Sequence, residues 1–184
     1  MRRSFSVGLL CSLLVWPAAA EAARPLRTAI VDPRQLADPT TADSAFARVA
    51  GTGGIRGTGA KFVKIYVNWR AVARTQPTEA TNPENDAYRW SRLDEQVTRA
   101  DAHGLTPIIY MANAPDWAEG YEGTFEGSGR PSPAKLADFM TALATRYDGD
   151  FPDSVDPLPA VRYWMVWCEC ALVSGASSSG DHLK

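Results

Sequence analysis

The stretch "YRWSRLDEQVTRADAHGLTPIIYMANAPDWAE" (residues 88–119) carries the fold in miniature. Ser91 stands where a helix begins, with Asp94 three residues on in a capping-box position. Leu93, Val97 and Ala100 follow at i, i+4, i+7, and Gly104 closes the segment. An apolar run rich in β-branched and aromatic residues, "LTPIIYM" (105–111), comes directly after, and a polar-aromatic loop follows that. The period changes from that of a helix to that of a strand within two residues, so this is a helix feeding a strand.

Outward from it the same alternation repeats. Runs of strand character occur at "RTAIV" (27–31), "KFVKIYV" (61–67) and "VRYWMVW" (161–167), the last reading as a buried strand. A helix is predicted over "TADSAFARVAG" (41–51), with Ala45, Phe46 and Val49 on one face and Gly51 as its stop. Another starts at Ser132 as N-cap with Pro133 at the first helical position. It carries the stripe Leu136, Phe139, Met140, Leu143, Ala144 and Tyr147 and stops near Gly149. Strands separated by helices demand parallel pairing, because parallel neighbours need long crossovers. The class is α/β.

The segments after the strands are the long ones: "NWRAVARTQPTEATNPENDAYRW" (68–90) after the second and "ANAPDWAEGYEGTFEGSGRP" (112–131) after the third. Parallel sheets and barrels hold ligands at the carboxyl ends of their strands. Asn68, Trp69, the segment from Asn113 to Trp117, and Glu169 are therefore the residues at which function is sought.

Other sites are excluded. "GTGGIRGTGAK" (51–61) lacks adjacent Gly-Lys followed by Ser or Thr, carries Arg56 at the last glycine position of a dinucleotide fingerprint, and precedes a strand, so it reads as a plain helix-to-strand turn. No serine sits in G-x-S-x-G. Of the two histidines, His182 lies in the tail and His103 ends a helix, where it meets the dipole. Cys168 and Cys170, in C-x-C spacing, cannot alone form a tetrahedral metal site and would be strained as a bridge, so no metal or cofactor is expected.

At the amino terminus, Arg2 and Arg3, the apolar "FSVGLLCSLLVW" (5–16) and the small-residue "AEA" (20–22) make an export signal, residues 1–22. Its apolar segment is short of the ~20 residues a spanning helix needs, so no membrane association is expected after cleavage. The chain of 184 residues is 45% hydrophobic and 22% charged, the composition of one ordinary globular domain. Its formal net charge of −2 becomes −3 once Arg2, Arg3 and Glu21 leave, and it has no basic run. Nucleic-acid binding is excluded as a main task. A secreted, extracellular protein acting on an uncharged or weakly charged substrate fits.

The ordered set of motifs resembles the N-terminal half of the (β/α)8-barrel glycoside hydrolases of clan A, nearest to families 5 and 39. A tryptophan follows the second strand (Trp69). "Y-x-W-x-x-L-D" opens the next helix (Tyr88, Trp90, Leu93, Asp94), "A-P-x-W" follows the third strand (Ala114, Pro115, Trp117), and the fourth strand leads to Glu169, where the family has "W-N-E-P". The resemblance spans residues 28–169. It implies a partial TIM barrel of about four β/α units over residues 23–170, with a disordered tail at 171–184. It further implies hydrolysis of O-glycosidic bonds with Glu169 as general acid/base, and a carbohydrate ligand held by Trp69, Asn113, Trp117 and Cys168. Cys168 replaces the family's asparagine and Cys170 its proline. The family's nucleophile comes from the seventh strand, and such a barrel takes about 250 residues, so the chain reads as truncated before it.

Retaining hydrolysis needs a second carboxyl group about 5 to 5.5 Å from the first, and Asp116, Glu119, Glu122 and Glu126 read instead as a solvated acidic loop. Trp69, Trp117, Tyr121 and Trp167 are readable either as sugar platforms or as packing, and Trp164 as core. Open sheet edges predict self-association. Two other readings stand beside the hydrolase: a noncatalytic carbohydrate-binding fragment, and a small α/β domain whose Cys168-x-Cys170 binds metal or forms a disulfide.

Overall fold

A computed structural model describes residues 26–120, 131–152 and 157–167. The signal segment 1–22, the loop residues Tyr121, Glu122 and Glu126, the Cys168-Glu169-Cys170 triplet and the tail with His182 lie outside the described residues.

The chain alternates as the periodicities demand: β1 (Ala29–Val31), α1 (Pro33–Ala37), α2 (Ala42–Ala50), β2 (Phe62–Asn68), α3 (Trp69–Val72), α4 (Ser91–Ala102), β3 (Thr106–Ala112), a single 3-10 turn (Asp116–Ala118), α5 (Pro133–Arg146) and β4 (Tyr163–Met165). The four strands form one sheet in the order β1-β2-β3-β4, and every pair is parallel. The β2–β3 ladder is the longest, running from Phe62 opposite Thr106 to Asn68 opposite Ala112.

One face of this sheet is covered. Val63, Ile65 and Val67 of β2 and Ile109 and Met111 of β3 share a single core with Phe46 and Val49 of α2, Leu93, Val97 and Ala100 of α4, and Phe139 and Leu143 of α5. The other face holds Phe62, Lys64, Tyr66, Ile108 and Tyr110, all half-buried, with Val31, Tyr163 and Met165 exposed. Its side chains form a cross-strand ladder: Tyr66 lies 5.3 Å from Tyr110, Lys64 sits 4.6 Å over the Tyr110 ring, and Phe62 meets Tyr163 edge-on at 5.2 Å. Sequential parallel strands with their helices on one side are the arrangement of consecutive β/α units in a barrel wall, whereas a doubly wound sheet covers both faces. The architecture is α/β, a segment of partial barrel.

Local chemistry explains the boundaries. Gly51 ends α2 at φ +80°, and its N–H reaches Ala47 O at 2.8 Å. A Cβ on Gly57 would meet the Gly51 backbone nitrogen at 2.7 Å, so the glycine-rich segment closes on itself as a turn. The sheet-facing residues of α2 and the α4 stripe are buried as the spacing predicts.

Several expectations are corrected. Asp94 does not cap α4: it accepts hydrogen bonds from both Arg146 Nε and Nη2 at 2.8 Å and from the Tyr147 hydroxyl at 2.8 Å, while Trp90 occupies the N-cap. In α5 it is Ala142 that is buried, whereas Ala144 is exposed, because Ala144 lies five residues, or 140° of helical turn, from Phe139. The fourth strand is not buried. It covers three residues, pairs with β3 alone, and leaves Tyr163 42% and Met165 38% exposed.

Candidate functional site

Beyond the carboxyl ends of β2 and β3, which stay paired as far as Asn68 opposite Ala112, lies a cleft of about 580 Å³, lined by Asn68, Arg70, Ala71, Arg74, Pro115, Asp116 and Trp117. Every lining residue comes from the two segments that follow these strands.

Asn68, the last residue of β2, accepts the Ala71 N–H at 3.1 Å through Oδ1 and so starts α3. That bond fixes which end of the amide carries oxygen, because a backbone N–H needs an acceptor. Asn113 Nδ2 then donates to the same oxygen at 2.8 Å. Two groups remain without a hydrogen bond among the described residues: the Asn68 NH2 and the Asn113 Oδ1. Asn113 holds φ +63°, the left-handed conformation that asparagine tolerates better than other non-glycine residues. Its carbonyl accepts the Arg70 N–H at 3.0 Å.

Arg70 ties the loops together. Its Nη2 donates to Ala114 O at 2.9 Å and to Asp116 Oδ1 at 3.0 Å, with the Arg70 side chain 20% exposed and that of Asp116 73% exposed. Trp117 forms the apolar wall beside Pro115. Its indole N–H donates to Ala73 O at 3.0 Å, which pins the ring, and Lys135 donates to the Trp117 carbonyl. Arg74 is exposed at the edge of the same cleft.

Of the residues singled out from the sequence, Asn68 and Trp117 line this cleft, and Asn113 stands behind it, hydrogen-bonded to Asn68 but not part of the lining. Trp69 does not join them. It is 0% exposed, its ring stacked on Phe139 at 4.7 Å and 2° and set edge-on to Trp117 at 5.8 Å. Both its faces belong to the core, so it is a packing residue and offers no face to a sugar. The "Y-x-W-x-x-L-D" residues are structural in the same way: Tyr88 and Trp90 lie 4.7 Å apart and pack on Phe139, and Asp94 grips α5. Trp164 and Trp167 are half-buried against the core. His103 caps α4, stacks on Phe46 at 6.2 Å and pairs with the Thr52 hydroxyl at 2.7 Å. Arg70 and Arg74 went unnoticed in the sequence, although both lie in the segment after β2, within reach of the strand's carboxyl end.

Asp116 and Glu119 were grouped as a solvated acidic loop. Asp116 is exposed but ion-paired with Arg70, and Glu119 is half-buried in an isolated bridge with Pro131. Among the described residues no cluster of three His, Cys, Asp or Glu side chains could hold a metal ion, and no helix is long and apolar enough to cross a membrane.

No family model matches the chain, and no curated protein matches it. Among solved structures, the chain is similar to the β-galactosidase from the psychrophilic Marinomonas ef1, at 17% identity and a TM-score of 0.42. The superposition covers 76% of this chain and 21% of that chain, so the sequence spans about a fifth of that protein's length.

Proposed function

We propose that this chain is the amino-terminal, saccharide-binding part of a secreted retaining glycoside hydrolase of clan A, related to families 5 and 39. The observation that carries the reading is the cleft at the carboxyl ends of β2 and β3, where a pinned aromatic ring stands beside amide and guanidinium groups. Saccharides are recognised by that combination: an apolar ring face against an aromatic, and fixed hydrogen-bonding groups for the hydroxyls. The free Asn68 NH2 donates to a hydroxyl oxygen, an orientation enforced by the Ala71 N–H and by Asn113 Nδ2, which both donate to Asn68 Oδ1.

In this reading Glu169, which follows β4, is the general acid/base. It protonates the departing glycosidic oxygen and later takes a proton from water. The nucleophilic carboxylate that completes retaining hydrolysis belongs, by the resemblance, to a strand beyond the four described.

The test is calorimetric binding of neutral oligosaccharides, followed by turnover of a panel of aryl glycosides by the same sample. Binding that is lost in Asn68→Asp, which keeps the oxygen that starts α3 and removes the NH2 donor, supports the cleft. Turnover abolished by Glu169→Gln with binding retained supports the acid/base role. A folded chain that binds no saccharide of the panel refutes the proposal.

A further inference from the structure

The charges of the cleft are unequally used. Arg70 and Asp116 form an ion pair at 3.0 Å, and that pair is close to neutral as a unit. Arg74 lines the same cleft, is exposed, and makes no hydrogen bond or ion pair among the described residues. Lys135, outside the lining, lies 5.9 Å from the Trp117 ring centre with its ammonium turned to the Trp117 carbonyl. Among the described residues that line the cleft, two cations, Arg70 and Arg74, stand against one anion, Asp116, in a chain whose formal net charge is −2.

We propose that the cleft selects a saccharide bearing a carboxylate, with Arg74 as the residue that recognises the acid group. A guanidinium presents two parallel N–H donors that match a carboxylate in a planar fork, a geometry a neutral hydroxymethyl group cannot satisfy. The sugar ring lies against Trp117 and Pro115, and its acid group meets Arg74 at the open end. Asp116 does not oppose this, because Arg70 holds its carboxylate. The inference rests on the proposed reading of the cleft as a saccharide site and narrows its substrate class.

The probes are a short oligosaccharide of hexuronic acid units and the same oligosaccharide with its carboxylates reduced to primary alcohols, each titrated calorimetrically into the full chain. The acid form binds about tenfold more tightly at low ionic strength, the preference of one charge-assisted bidentate contact at a partly solvated site. The preference shrinks as salt is added. Arg74→Gln brings the two ligands to equal affinity, and Arg74→Lys retains part of the preference. Arg74 is exposed, so neither variant threatens the fold, and unchanged circular dichroism confirms it. Equal binding of the two ligands by the parent chain overturns the inference and leaves the saccharide site standing, as does a preference that survives in Arg74→Gln. Absence of binding by both ligands overturns the saccharide reading and the inference together.

Discussion

Replacing Asp94 by alanine tests how α4 and α5 are held. The carboxylate accepts three hydrogen bonds, two from Arg146 and one from Tyr147, and the Asp94 and Arg146 side chains are only 18% and 14% exposed. Burial pushes the Tyr147 hydroxyl well above its ordinary pKa, with the Asp94 charge adding to the effect, so the phenol stays neutral and donates. Exposed ion pairs contribute about 0.2–1 kcal/mol, whereas removing one partner of a buried pair costs about 3–5 kcal/mol. With roughly a sixth of each side chain still in contact with water, Asp94→Ala should lie near the lower end of the buried range, about 3 kcal/mol, because it strands a guanidinium and a buried hydroxyl. For a domain of this size that is a fall in Tm of about 6–12 °C. Urea unfolding followed by far-UV circular dichroism measures the loss, and the Asp94→Ala/Arg146→Ala double variant isolates the coupling. A loss under about 0.5 kcal/mol, or an equal loss whether or not Arg146 is present, would refute the account.

Three other outcomes follow from the packing. Phe139→Ala, which removes the ring between Trp69 and Trp90, should cost about 3–5 kcal/mol in the same urea experiment. Gly57→Ala should destabilise more than an ordinary surface change, since its Cβ would meet backbone at 2.7 Å; a melt indistinguishable from the parent would disprove the tight turn. Alkaline titration should show stability constant up to about pH 10, where unfolded tyrosine ionises, and then falling, because burial, with Asp138 nearby, raises folded Tyr88 to about 12. Unfolding monitored by circular dichroism against pH should move to higher pH in Tyr88→Phe.

The four strands and the helices α2, α4 and α5 were legible in the sequence because each is marked locally, whereas the one-turn α1, α3 and the 3-10 turn carry no such mark. Apolar runs of β-branched and aromatic residues reveal β2 and β3, the i, i+4, i+7 stripe reveals α4, and Gly51 and Gly104 mark helix ends. The errors concern partners distant in sequence. Asp94 three residues after Ser91 looks like a capping box, and only the fold brings Arg146, 52 residues on, to the same carboxylate. Trp69 carries the composition of a ligand platform, but α5 delivers Phe139 onto its ring. The apolar run of β4 reads as buried, yet burial depends on a neighbouring element to cover it. For the site, the loop-length argument pointed to the strand ends where the cleft lies and named Asn68 and Trp117, which line it. It missed Arg70 and Arg74, because arginines in a loop carry no periodic mark, and their meaning comes from Asp116 and the cleft across from them.

The two unlike faces of the sheet imply two rates of sequence drift within one strand. Along β2, Val63, Ile65 and Val67 are at most 2% exposed and lie in the core shared with the helices, so a change of one methylene there disturbs several neighbours at once. Phe62, Lys64 and Tyr66 alternate with them and meet side chains of other strands as pairs, Phe62 with Tyr163 and both Lys64 and Tyr66 with Tyr110, each contributing about 0.2–1 kcal/mol. Substitutions should therefore be accepted at every second position of β2 and rejected at those between, a tolerance map with the period of the strand itself.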